Sequence, residues 1–153
     1  MSMKIGVNSD THGLLRPEVV EAMRSVDHIL HAGDVGDAKI LDQLRHLAPL
    51  TAIRGNVDHS GPCARLSEVE LIGLNGNSIY MLHDVQSLDL DPIAAGIQVV
   101  ISGHSHKPLI EWRKGVLYFN PGSAGPRRFS LPVSVGYLYI DEDRIEPELL
   151  TIG

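Results

Sequence analysis

The sequence predicts an α/β domain in which βαβ units come first and antiparallel strands follow, giving two packed sheets with helices outside. Three observations lead there. Apolar runs over residues 3–7, 28–31 and 50–53 alternate with helical spacing over 16–25 and 37–47, the rhythm of parallel-strand units. Asn75-Gly76 separates two strand-like runs, 68–74 and 78–82, as a tight hairpin turn does. The final third alternates short strands with turns and needs no helix.

Taken in order, residues 3–7 stop abruptly at Asn8-Ser9-Asp10-Thr11-His12-Gly13. Helical spacing then places Val19, Val20 and Met23 on one face, with Pro17 suited to a first turn. The strand at 28–31 runs into Ala32-Gly33-Asp34. Asp37 is the expected N-cap of a helix through Ile40, Leu41, Leu44 and Leu47, ended by Pro49. Residues 50–53 exit into Arg54-Gly55-Asn56-Val57-Asp58, and the second hairpin strand exits into His83-Asp84. A short helix is expected at 92–96. The β-branched run Val99-Val100-Ile101 reads as a buried strand; it reaches Gly103, where the backbone turns or approaches something closely, and delivers His104 and His106. Strands at 109–112, 116–119, 134–140 and 144–150 complete the chain. The Pro/Gly-rich stretch 120–132 is too short to divide domains, so residues 1–153 form one domain.

At 153 residues, about two-thirds of the unfolded surface can be buried without disulfides or a structural metal. The single cysteine, Cys63, excludes an internal disulfide and suits a reducing compartment, so a cytoplasmic setting is expected. Met1-Ser2-Met3-Lys4 leads straight into a strand-like run rather than a leader, and no apolar run is long enough for a membrane span. The formal net charge of -6 argues against a stable grip on nucleic-acid backbone. It leaves a phosphate substrate open, because bound divalent cations reset the local field.

The chemistry lies in the strand exits. Asp10, His12, Asp34, Asn56, His83, His104 and His106 each follow an apolar run, and strands of one sheet place such exits along one edge. Imidazole and oxygen ligands without sulfur suit Mn, Fe, Zn or Ni better than a soft metal. Seven ligands exceed what one catalytic ion takes from protein, and one shared carboxylate gives each of two ions four ligands. Each piece has a plainer reading: Asp10-Thr11-His12-Gly13 as turn and capping residues, Gly55-Asn56 as a turn, His83 as a solvated histidine. Their recurrence at five strand exits favours the metal site. His28, His31, His46 and His59 are read as structural and Cys63 as inert.

Asp10-Thr11-His12, Gly33-Asp34, Gly55-Asn56-Val57-Asp58, His83 and Gly103-His104-Ser105-His106, in this order, resemble the motif set of the calcineurin-like metallophosphoesterases, most nearly their small bacterial and archaeal phosphodiesterases. Asn120-Pro121-Gly122-Ser123 resembles a loop near the site in those proteins. The resemblance implies a four-layer α-β-β-α sandwich with two packed mixed sheets. It implies one divalent ion held by Asp10, His12, Asp34 and His106, and a second held by Asp34, Asn56, His83 and His104. Manganese is the expected metal, with Ni, Zn, Fe or Co as alternatives. A hydroxide bridging the ions would attack phosphorus in line, with Asp34, Asn56 and His104 as the residues nearest the chemistry. The expected substrate is a small phosphate ester, and Arg127 or Arg128 is a candidate contact to it; a homo-oligomer is left open. Two departures stand out. Val57 occupies a position where many relatives carry a histidine suited to protonating the leaving group, which leaves metal stabilisation, a solvent proton or a substitute donor such as His59. Asp84 replaces a usual glycine and is expected to bind metal, orient His83 or face solvent. The retromer scaffold subunit shares the fold implied here, so a non-catalytic interaction protein is the alternative reading.

Overall fold

Alternation of apolar side chains decides which faces meet. In the strand Asn77–Leu82, Ile79 and Met81 join the core between two sheets, while Tyr80 and Leu82 join a separate cluster on the outer face. The structure, a computed structural model, describes residues 2–152. Its order is β1 (Met3–Asn8), α1 (Pro17–Met23), β2 (His28–His31), α2 (Ala38–Arg45), β3 (Leu50–Ala52), β4 (Val69–Leu74), β5 (Asn77–Leu82), β6 (Val99–Ile101), β7 (Leu109–Arg113), β8 (Val116–Asn120), β9 (Ser134–Ile140) and β10 (Ile145–Thr151). Short 3₁₀ turns lie at Pro62–Arg65 and Val85–Ser87.

The strands form two five-stranded mixed sheets, ordered β10-β9-β1-β2-β3 and β4-β5-β6-β8-β7. Parallel pairs are β1 with β2, β2 with β3, β5 with β6 and β6 with β8; the remaining pairs are antiparallel. Between the sheets lie Ile5, Val7, Leu30, Ile53, Ile101, Leu117, Phe119 and Leu138, all essentially inaccessible. Each such side chain contributes about 1.5–3 kcal/mol by leaving water.

Helices cover one outer face only. In α2 the Asp37 carboxylate accepts the Lys39 N–H at 2.9 Å, and Ile40, Leu41 and Leu44 face the first sheet. In α1, Val19 and Met23 do the same. The outer face of the second sheet is covered by segment 84–98, where Val85, Leu88, Leu90 and Ile97 pack on Tyr80, Leu82 and Val100. The expected helix at 92–96 is a series of turns instead, with Ala95 N–H bonded to Asp91 O and Ile97 N–H to Pro92 O. Pro92 and Gly96, the latter at φ +74°, bracket five residues and leave no room for helical turns. The two-sheet sandwich is therefore as expected, and the layer outside its second sheet is irregular chain. None of the described helices is long and apolar enough to cross a membrane.

Candidate metal centre

Exits from both sheets meet at one edge. The pairing of β1 with β2 continues past the strands, with Asp10 N–H bonded to Gly33 O (3.0 Å) and His12 N–H to Asp34 O (2.9 Å). The sheets are stitched across by His104 N–H to Asp10 Oδ2 (3.1 Å), Ser123 Oγ to the Asp10 carbonyl (3.1 Å) and His83 Nδ1 to the Ala32 carbonyl (2.7 Å). Asp10, His12, Asp34, His104 and His106 all have left-handed backbones, with φ of 57, 47, 56, 69 and 62°. Such residues cost about 1–3 kcal/mol each and persist only where surrounding bonds hold them. Gly103 and Gly55 allow the close approach that results. A Cβ at Gly103 would collide with Ser9 Oγ and Asp10 Oδ2, and one at Gly55 with the Asp34 carboxylate.

Each carboxylate has one occupied and one open oxygen. Asp10 Oδ2 accepts from Ser9 Oγ (2.8 Å) and His104 N–H, which leaves Oδ1 at 3.5 Å from His106 Nε2 and 3.7 Å from both His12 Nε2 and His83 Nε2. Asp34 Oδ1 accepts the Val57 N–H (3.0 Å), while Oδ2 stands 3.1 Å from His83 Nε2 and 3.5 Å from His12 Nε2. Because His83 donates from Nδ1 to Ala32, its Nε2 lone pair is free to face the carboxylates. Asp10 Oδ1, His12 Nε2 and His83 Nε2 are buried without a hydrogen-bond partner. Two groups have donor atoms converging closely enough to hold one ion each: Asp10, His12 and His106, and Asp10, Asp34 and His83. A nitrogen and oxygen donor set whose lone pairs go unused inside a protein fits a divalent transition metal. Asn56 and His104 sit at the rim, exposed or partly so; the His104 ring lies 5.2 Å from that of His83.

Charges cooperate with this geometry. Burial works against the ionised form of Asp34, but His83 and the Val57 N–H hold its carboxyl well below the usual range. The Asp10 carboxylate raises His12. Burial lowers His106, with Asp10 opposing and the Arg128 charge adding to the effect. Arg127 is turned into its own loop, donating to the Leu131 carbonyl at 3.4 Å.

The sequence set Asp58 and Asn120 among the motif residues without showing that they hold the loops. Buried Asp58 accepts three backbone N–H groups, from Val35 and Gly36 (3.0 Å each) and Gly55 (2.9 Å), tying the exit of β2 to that of β3. The Asn120 side chain donates to the Gly103 carbonyl (2.9 Å) and accepts the Gly122 N–H (2.9 Å). His31, expected to be structural, is a fully buried link. Gly33 N–H donates to its Nδ1 (3.2 Å), which fixes the proton on Nε2, from which it donates to Thr11 Oγ1 (3.0 Å); Thr11 donates onward to the Val35 carbonyl (2.8 Å). A protonated ring would face the Gly33 N–H with a second proton, and burial accordingly lowers the His31 pKa to about 4. Unfolded chain takes up that proton near the ordinary value of about 6.5. The contribution of neutral His31 is therefore complete above about pH 6.5 and is lost as pH falls toward about 4, by about 3 kcal/mol in all. In chelator, urea unfolding at about pH 7.5 and about pH 4.5 should show a larger loss in the parent than in His31→Gln, by about 2–3 kcal/mol. Equal losses would remove the buried neutral histidine as the cause.

Asp84 neither reaches nor orients His83, whose Nδ1 is satisfied by Ala32. One of its oxygens caps the 3₁₀ turn through the Gln86 N–H (3.0 Å), and the other faces His104 Nε2 at 3.8 Å. The Val57 side chain is 42% exposed and carries no proton to give. His59 is exposed and lines neither cavity that adjoins Asn56 or Val57.

Comparison with known proteins agrees with this arrangement. Residues 3–143 match the family model described as the calcineurin-like phosphoesterase superfamily domain. A probable metallophosphoesterase of Methanothermobacter thermautotrophicus is 40% identical, over 99% of this chain and 94% of its own length. A phosphodiesterase of Methanocaldococcus jannaschii is 31% identical, over 78% of this chain and 83% of its own. The fold is also that of Vps29 from Entamoeba histolytica, solved with zinc, at a TM-score of 0.77 and 20% identity over 97% of this chain and 99% of that one. With two buried donor groups at the strand exits and a family match that spans nearly the whole sequence, the chain belongs to the calcineurin-like phosphoesterase superfamily.

Proposed function

We propose that the protein hydrolyses small phosphodiesters with two divalent ions, manganese first among Mn, Fe, Co, Ni and Zn. The observation that carries the reading is the set of buried, unpartnered donor atoms, Asp10 Oδ1, His12 Nε2 and His83 Nε2, facing one another across the edge of the sandwich. The first ion is assigned to Asp10, His12, Asp34 and His106, and the second to Asp34, Asn56, His83 and His104. Support for Asp34 as the shared ligand is its Oδ2, which lies between His12 and His83; Asp10 Oδ1 flanks the same line. Bound ions clamp phosphate oxygens and stabilise the charge that develops as phosphorus is attacked. In the hydrolysis a water oxygen bonds to phosphorus and the bond to one alcohol oxygen breaks. That alcohol leaves with a proton drawn from solvent.

All seven ligand positions carry ligating side chains, which favours an enzyme over a scaffold of the Vps29 type. The test is chelation followed by single add-back of Mn, Fe, Co, Ni or Zn and a screen of mono- and diesters. Restored diester hydrolysis is expected. Ion binding without turnover of any ester would overturn the enzyme reading in favour of the scaffold.

Arg128, whose charge reaches His12 and His106, is the proposed contact to substrate phosphate. A hydrogen bond to a charged group is worth about 1.5–3 kcal/mol, so Arg128→Ala should lower kcat/KM about 10- to 100-fold with metal content unchanged. Arg127→Ala should leave the kinetics near those of the parent. Equal kinetics in Arg128→Ala and the parent would remove the contact.

A further inference from the structure

Next to the metal-ligand cluster lies a cavity of about 560 Å³, within the roughly 300–1,000 Å³ of small-molecule sites. Asn56 and His83 line it on the side of the metal-ligand cluster; His83 is 6% exposed, and its buried Nε2 has no hydrogen-bond partner. Val69, Tyr80 and Leu82 of the β4–β5 hairpin supply an apolar and aromatic wall. Besides Gly55 and Ser87 the remaining lining is charged, and its balance is negative. Arg54 is the one basic side chain, and its guanidinium is committed to Glu68 (2.8 Å) and the Ala64 carbonyl (3.0 Å). Asp84 and Asp89 line the same cavity, and among the described residues neither pairs with a lysine or arginine. Tyr80 and Asp89 line this one cavity together.

We propose that this cavity receives one alcohol arm of the phosphodiester and that the arm carries a quaternary ammonium group. This rests on the phosphodiesterase reading of the adjoining cluster. Two carboxylates without a lysine or arginine partner supply the countercharge, and an aromatic ring with aliphatic neighbours suits the methyl-clad surface of such a cation. An anionic arm would meet Asp84 and Asp89 at close range, and a neutral alkyl arm would leave both unpaired. The phosphate of such a zwitterion then lies at the Asn56–His83 end, where the metal ligands are.

Two 4-nitrophenyl diesters with the same leaving group isolate the charge: one with a 2-(trimethylammonio)ethyl arm, the other with the isosteric 3,3-dimethylbutyl arm. The metal-loaded protein should prefer the cationic diester about tenfold in kcat/KM, and Asp89→Asn should bring the ratio toward one. Tetramethylammonium titrated into the metal-free protein should shift the NMR signals of Tyr80 and Val69, and the shifts should vanish in Asp89→Asn. Cleavage of both diesters at equal efficiency would overturn the cationic arm. If neither diester is cleaved, the phosphodiesterase reading fails by itself, and the titration decides the cavity: unmoved Tyr80 and Val69 signals would overturn it as a cation site.

Discussion

Asp34→Asn is expected to cost metal at both proposed ion positions at once, while His12→Ala chiefly weakens one. The difference follows from the two Asp34 oxygens. Oδ1 is fixed by the Val57 N–H, so Oδ2 is presented in one orientation between His12 and His83. An amide at this position keeps the shape and loses the charge, and a neutral group bridges two cations poorly. Even partners one bond removed from a metal cost 10- to 100-fold in affinity or activity when changed, so a loss of more than about a hundredfold in activity is expected for Asp34→Asn. Elemental analysis after dialysis against limiting metal provides the check. Equal metal loss in the two variants would remove Asp34 as the shared ligand and turn attention to Asp10, whose Oδ1 belongs to both donor groups.

The second large effect concerns the leaving group. A positioned general acid contributes about a hundredfold to ten-thousandfold, and more as the leaving alcohol becomes a poorer one. Position 57 holds Asp34 through its backbone and presents a valine side chain, while His59 is exposed and away from the adjoining cavities. Rate should therefore depend steeply on leaving-group pKa, with aryl diesters cleaved far faster than alkyl ones. A graded diester series under single-turnover conditions, which exclude product release, measures the slope. His59→Ala should leave it unchanged. A nearly flat plot in the parent that steepens in His59→Ala would establish His59 as the donor.

Legibility varied along the chain for physical reasons. Strands β2 and β9 lie where the sequence places them, because their apolar residues are buried from both sides or alternate cleanly between faces. Chemical side chains at the strand exits were legible as well, since each apolar run breaks at a polar residue. The backbone beneath them was not. Nothing in the residue types at Asp10, His12, Asp34, His104 and His106 announces five left-handed conformations, which tertiary hydrogen bonds impose. Asp58 reads as one more turn carboxylate, and its three N–H partners come from two different loops. The cover of the second sheet misled for the opposite reason: 92–96 has helix-compatible residues, yet Pro92 and Gly96 confine them to turns. Asp84 follows His83 directly, and of the three roles open to it the side chain takes up contacts with His104 and the Gln86 N–H, since adjacent residues of an extended chain point apart.

The bonds that join Asp10 to His104 and Ser123 span 94 and 113 positions of sequence, and those between the sheets are the ones that complete the donor groups. Chain closure over such distances carries an entropic cost that the contacts between the sheets must repay. A chain whose sheets have formed but not yet docked holds Asp10, His12 and Asp34 without His83 and His106, so neither donor group is complete. Metal affinity and docking of the sheets are thus two readings of one equilibrium, and an ion at a hundredfold excess over its dissociation constant adds about 2.7 kcal/mol to the docked state. Core substitutions between the sheets, such as Phe119→Leu, will for that reason weaken apparent metal binding in proportion to the docking they undo.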